Sequence, residues 1–134
     1  MRKVEHIGIA VKNIQNSNQL FQRLLGVDPY KSETVESEAV TTSFFKVGNT
    51  KIELLESTTE DSAVAKFIAN RGEGIHHIAF EVEDIQKEMA RLASEGFQLL
   101  NPEPKRGADN KLVVFLHPKS CNGVLVELCQ EIKP

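Results

Sequence analysis

A stretch near the start of the chain returns in its second half, and that recurrence limits the fold more than any other feature. His6-Ile7-Gly8-Ile9-Ala10-Val11-Lys12-Asn13-Ile14 aligns with His77-Ile78-Ala79-Phe80-Glu81-Val82-Glu83-Asp84-Ile85, identical at four of the nine positions. A second echo follows in each half: Ile52-Glu53-Leu54, then Val126-Glu127-Leu128. A duplicated chain folds as two copies of one supersecondary unit. With 134 residues in all, each half is too small to build an adequate core alone. The expected arrangement is therefore a single domain over 1–134, its halves fused side by side.

The coarse pattern supports two like modules. In the first, a strand over Val4–Val11 leads into a helix capped by Asn16 or Ser17 and running to about Leu25. Its apolar face is read as Leu20, Phe21, Leu24 and Leu25, and Gly26 ends it. Three strands are expected next, near Asp28–Ser37, Val40–Val47 and Lys51–Glu56, with Gly48-Asn49 as a hairpin turn. The second module repeats the order. A strand over Ile75–Val82 precedes a helix over Ile85–Glu95, and Gly96 stops it. A strand near Phe97–Leu100 and a loop over Asn101–Asn110 come next. Strands Lys111–His117 and Gly123–Cys129 close the module around a Pro118–Asn122 turn. Residues 57–74 have no counterpart; there Asp61 or Ser62 caps a connecting helix, Ala63–Asn70. Module 1 is thus about 1–56 and module 2 about 75–134. The fold class is α+β: two tandem βαβββ modules forming a curved mixed sheet, with a metal site in its concave face.

Strand alternation selects candidate ligands. His6 shares a face with Gly8 and Ala10, opposite Ile7, Ile9 and Val11. His77 shares a face with Ala79 and Glu81, opposite Ile78, Phe80 and Val82. His76 points away from His77. Glu53 and Glu127 each interrupt a strand of otherwise apolar residues. Any one of these side chains alone reads as ordinary sheet polarity. A His and a Glu at matching places in both copies read as His6, Glu53, His77 and Glu127 converging on one divalent cation. Two imidazoles and two carboxylates suit Co, Mn, Ni, Fe or Zn, and argue against an all-oxygen calcium site. On a six-coordinate ion they leave two adjacent positions for a bidentate oxygen substrate.

The charge balance excludes other classes. A net charge of −3 gives no basic footprint for nucleic acid. No segment approaches the 18 or so apolar residues of a membrane span, and Met1-Arg2-Lys3 enters the first strand without a signal-like region. Cys121 and Cys129 read as reduced thiols in a cytoplasmic protein.

Four blocks carry a family resemblance: Gly48-Asn49-Thr50-Lys51-Ile52-Glu53-Leu54-Leu55, Asp61-Ser62-Ala63-Val64-Ala65-Lys66-Phe67-Ile68, Gly74-Ile75-His76-His77-Ile78, and Phe115-Leu116-His117-Pro118-Lys119 through Gly123-Val124-Leu125-Val126-Glu127-Leu128. Over its whole length the chain resembles the vicinal oxygen chelate (glyoxalase/bleomycin resistance/dioxygenase) superfamily and, within it, the methylmalonyl-CoA epimerase family. The resemblance implies a metal-dependent epimerase acting on an acyl-CoA through an enolate. It implies ligation by His6, Glu53, His77 and Glu127 to a divalent ion, cobalt foremost, with Mn, Ni or Zn as alternatives. Glu127 is then also the proton-transferring carboxylate, and the assembly a homodimer. The chain departs from some relatives in Ala39-Val40-Thr41-Thr42-Ser43, which lacks a carboxylate. The second proton carrier is thus Glu38, Glu53 or a water. His117 is either a contact near the site or a turn residue; Lys105, Arg106 and Lys119 either meet CoA phosphates or are solvated loop charges. The rival readings are a glyoxalase I-type lyase, an antibiotic-sequestering binding protein, an Fe(II) dioxygenase and a structural metal site. A fourth ligand argues against the dioxygenase, which uses two His and one carboxylate.

Overall fold

The computed structural model describes residues 1–133. Two βαβββ repeats are present. The first comprises β1 (Lys3–Ala10), α1 (Ile14–Leu25), β2 (Lys31–Val35), β3 (Val40–Val47) and β4 (Thr50–Ser57); α2 (Ala63–Arg71) follows it. The second comprises β5 (Gly74–Glu81), α3 (Ile85–Ser94), β6 (Lys105–Gly107), β7 (Lys111–Leu116) and β8 (Val126–Glu131). The chain divides into two compact units, His6–His76 and Met1–Glu5 with His77–Pro134. The first five residues thus belong with the second repeat, where the Arg2 N–H donates to the Glu81 carbonyl at 2.8 Å.

Each unit has a mixed sheet of the same design. In the first, neighbours run β2-β3-β4-β1, with β1 and β4 parallel and the other pairs antiparallel. In the second they run β5-β8-β7-β6, with β5 and β8 parallel and the rest antiparallel. Parallel neighbours need a crossover connection, and the helix with its following hairpin supplies it. The duplication reaches single hydrogen bonds. The Val11 N–H donates to the Leu55 carbonyl and the Val82 N–H to the Cys129 carbonyl, both at 2.9 Å.

Helix starts repeat as well. Asn13 caps α1 by accepting the Asn16 N–H at 2.9 Å, and Asp84 caps α3 by accepting the Lys87 N–H at 3.1 Å. The first helical N–H is then taken by a side chain from the last strand of the repeat: Ile14 donates to Glu56 and Ile85 to Gln130, each at 2.7 Å. Two of the four orphan donors at each start are satisfied this way.

The helices cover one face of each sheet. Ile14, Phe21 and Leu25 of α1 pack with Ile9, Val11, Phe45, Ile52 and Leu54. Ile85, Met89 and Leu92 of α3 pack with Val82, Val114, Leu116 and Leu128. On the opposite face of the first sheet, Val64, Phe67 and Ile68 of α2 cover Ala10, Val40 and Leu55. No helix among the described residues is long and apolar enough to cross a membrane.

Several expectations are corrected. α1 begins at Ile14, not after Asn16 or Ser17, because Asn13 and the distant Glu56 cap it. Leu20 and Leu24, read as part of its apolar face, are 51% and 69% exposed; the inward stripe runs through Phe21 and Leu25. No strand forms at Phe97–Leu100, where only a bridge from Leu99 to Leu116 occurs. The second strand of that repeat lies instead at Lys105–Gly107, inside the expected loop. β8 starts at Val126, not Gly123. The turn before it is a short 3₁₀ helix, Pro118–Cys121, closed by Asn122 in the left-handed region.

Candidate metal centre

Each unit holds one His–Glu pair, and the strand register explains why. In the first sheet Gly8 lies beside Glu53 and Ala10 beside Leu55, so His6, Gly8 and Ala10 share a face with Glu53 and Leu55. That is the face turned away from α1. His6 Nδ1 lies 3.1 Å from Glu53 Oε2. In the second sheet Ala79 lies beside Glu127, and His77 Nε2 lies 3.2 Å from Glu127 Oε1. All four side chains are buried, between 4% and 6% exposed. Burying polar groups of this kind is costly unless they are paired or bind an ion. Each pair satisfies that requirement internally, and each presents both an imidazole nitrogen and a carboxylate oxygen to one spot.

The surroundings repeat too. Phe44 lies opposite Glu53 across the β3–β4 hairpin, and Phe115 lies opposite Glu127 across β7–β8. Each Glu is thus flanked by a residue with little or no side chain, Gly8 or Ala79, and by a phenylalanine. The sequence reading missed these flanking residues. The signal was available, since Phe44 and Phe115 have the same separation as His6 and His77. Two further buried ionisable groups also went unread: Glu5 at 2% exposure and Lys111 at 8%.

Other candidates find places. His76 faces away from His77 and packs edge-on against Phe67, ring centroids 5.1 Å apart. His117 Nδ1 accepts the Lys119 N–H at 3.0 Å and so caps the Pro118–Cys121 turn. Lys105 and Arg106 are consecutive in β6 and point to opposite faces. Glu38 ends a single helical turn, Glu36–Glu38, and Ala39 follows it at φ 53°, a left-handed conformation uncommon for alanine. Burial pushes the Cys121 thiol up from its ordinary range.

An imidazole and a carboxylate, the donors each pair offers, suit a borderline divalent cation such as Co, Mn, Ni or Zn.

Comparison with known proteins agrees with this geometry. Residues 5–115 match the glyoxalase/bleomycin resistance protein/dioxygenase superfamily. The mitochondrial methylmalonyl-CoA epimerase of Dictyostelium discoideum is 44% identical over 127 residues, 94% of this chain and 76% of that protein. The ethylmalonyl-CoA/methylmalonyl-CoA epimerase of Cereibacter sphaeroides is 42% identical over 130 residues, covering 96% of this chain and 97% of its own. A solved structure of a Streptomyces coelicolor methylmalonyl-CoA epimerase variant in complex with 2-nitronate-propionyl-CoA superposes with a TM-score of 0.95. It is 35% identical, and the match covers 99% of each chain. Fold, repeated His–Glu pairs and full-length similarity together place this chain in the glyoxalase/bleomycin resistance protein/dioxygenase superfamily and, within it, in the family of the methylmalonyl-CoA epimerases.

Proposed function

We propose that this protein interconverts the (R) and (S) forms of methylmalonyl-CoA by metal-assisted proton abstraction at C2. The observation that carries the proposal is the buried His–Glu pair repeated in both units, in a chain similar over nearly its whole length to named epimerases. That similarity favours an epimerase over a glyoxalase I-type lyase or an antibiotic-binding protein. His6, Glu53, His77 and Glu127 would hold one divalent cation, cobalt first and Mn, Ni or Zn as alternatives. The two units then act as one functional domain over the whole 134 residues.

When bound, such a cation supplies Lewis acidity toward the carboxylate and thioester oxygens that flank C2. The protein's own residues do the rest. Glu127 takes the C2 proton, and the imidazole of His77 at 3.2 Å keeps its carboxylate oriented. Gly8 and Ala79 leave space beside the two carboxylates for the acyl group. The buried faces around both pairs exclude water, which strengthens the electrostatic terms acting on the enolate. Return of a proton to the other face of C2 falls to Glu38, Glu53 or a water.

The same reading includes a homodimer in the cytoplasm. Leu20 and Leu24 on α1 support the dimer, since the corresponding positions of the second repeat are the charged Arg91 and Glu95. Cys121 and Cys129, read as reduced thiols, suit a reducing compartment.

The test is to incubate cobalt-loaded protein with methylmalonyl-CoA in deuterated water and follow C2 by NMR. Deuterium entering C2 with enzyme-dependent kinetics is expected. A fully metallated sample that exchanges no proton would overturn the proposal.

A further inference from the structure

Phe44 and Phe115 occupy the same place in the two repeats, each directly across from the glutamate of its pair. Their surroundings differ. Phe44 is wholly buried. The Tyr30 ring lies 5.9 Å from it, and the Lys31 ammonium stands over its face at 4.8 Å. The covering segment is anchored where the Tyr30 N–H donates to the Phe44 carbonyl at 2.9 Å. In the second repeat the Leu100 N–H makes that bond to the Phe115 carbonyl at 2.8 Å. There the chain continues as Asn101-Pro102, in place of the Lys31-Ser32 that follows Tyr30. Phe115 is left only half-buried, on the same face as His77, Ala79 and Glu127. Its ring meets the His77 imidazole edge-on, with centroids 5.8 Å apart and planes at 85°.

A phenylalanine kept partly open on a face of buried polar residues forgoes burial energy that its twin obtains. The fold itself does not require the opening, because the first repeat closes it. We infer that Phe115 is the specificity wall of the acyl site. One edge of its ring fixes the orientation of His77, and its uncovered surface packs against the alkyl substituent on the carbon that Glu127 deprotonates. This inference rests on the epimerase reading and adds to it the residue that measures the C2 substituent.

A side chain that measures one methylene discriminates by roughly 10- to 200-fold, so the readout is a ratio. Deuterium exchange at C2 is followed with methylmalonyl-CoA and with ethylmalonyl-CoA, and kcat/KM is taken for each. Phe115→Ala is expected to raise the ethyl-to-methyl ratio about tenfold or more, and Phe115→Leu to raise it less but in the same direction. Phe44→Leu, at the covered position, is expected to lower Tm and to leave the ratio within about twofold, well under the one-methylene range. Phe115→Leu keeps the test alive should the alanine variant fold poorly. Cobalt affinity, read by competition with a chelator, is expected to fall about tenfold in Phe115→Ala through the loosened imidazole. A ratio that stays at the wild-type value in both Phe115 variants, or that moves equally in Phe44→Leu, overturns the inference while leaving the epimerase standing. Wild-type protein that exchanges neither thioester overturns the epimerase reading, and this inference with it.

Discussion

Glutamine keeps the shape and one oxygen donor of glutamate but cannot hold a proton in the useful pH range, and this separates the roles of positions 53 and 127. If Glu127 both ligates and abstracts, Glu127→Gln removes general-base catalysis, worth about 10²- to 10⁴-fold, while Tm and metal content stay near wild type. If Glu53 only ligates, Glu53→Gln weakens metal binding about tenfold, as lesser changes around a metal site do, and exchange at saturating metal persists. NMR of C2 exchange beside atomic absorption on the same samples decides. A Glu127→Gln protein that exchanges normally would move the base elsewhere, with Glu38 next in line. The adjacent histidines are a second discriminating pair. His77→Ala is expected to strip the ion and His76→Ala to retain it, because His76 turns toward Phe67. Metal content after dialysis reads this directly. At this scale the sequence was informative because period-two alternation assigns each His and Glu to a face without any knowledge of packing. The flanking Phe44 and Phe115 escaped notice because a phenylalanine in a strand looks like core, and only the pairing register puts it beside a glutamate.

The two helices that cover the sheets look alike in pattern and differ in how they are held. The inward stripe of α3 is Ile85, Met89 and Leu92, all buried. Along α1 the equivalent stripe runs Ile14, Asn18, Phe21 and Leu25, and none of its residues is fully buried. Where Val114 completes the second layer, Ser43 stands in the first. Asn18 Oδ1 and Ser43 Oγ are both buried, and neither finds a hydrogen-bond partner among the described residues. An orphaned buried polar atom costs about 1–3 kcal/mol, and replacing polar groups by apolar ones of fitting shape recovers it. Asn18→Met with Ser43→Val, which copies the second repeat, is therefore expected to raise Tm by about 5 °C. Amide exchange in α1 should slow toward that of α3. A double variant of lower Tm would show that these polar groups are paired in solution. Little in the hydropathy pattern announces the difference. Leu20 and Leu24 fit the helical period as well as Phe21 and Leu25 do, so hydropathy alone widened the apolar face by one flank. The cap was misplaced for a related reason: Glu56, which takes the Ile14 N–H, comes from a strand 42 residues away. The second strand of the second repeat was misread because β propensity favoured Phe97–Leu100, while pairing with β7 selected the polar Lys105–Gly107.

For the whole molecule, the division into His6–His76 and the remainder allows two metal stoichiometries. If each His–Glu pair acts alone, the chain binds two ions independently, and removing one histidine halves the capacity. If the pairs close on a single ion, as proposed, the chain binds one, and His6→Ala and His77→Ala are equivalent: either abolishes tight binding altogether. Calorimetric titration of metal-stripped protein with cobalt distinguishes the two by stoichiometry. Thermal stability supplies an independent check. A ligand that binds only the folded state stabilises it by RT ln(1 + [L]/Kd), about 2.7 kcal/mol at a hundredfold excess over Kd, so saturating cobalt should raise Tm by about 5–10 °C for a domain of this length. If both pairs hold one ion, one cooperative transition should move, and neither single-histidine variant should respond. Two ions per wild-type chain, or a shift retained in His6→Ala, would separate the pairs and remove the centre on which the proposed chemistry depends. The duplication made this reading possible from the sequence, since it set matched ligand types at matched places. It could not reveal that Met1–Glu5 cross into the second unit, because only the fold brings Arg2 to Glu81.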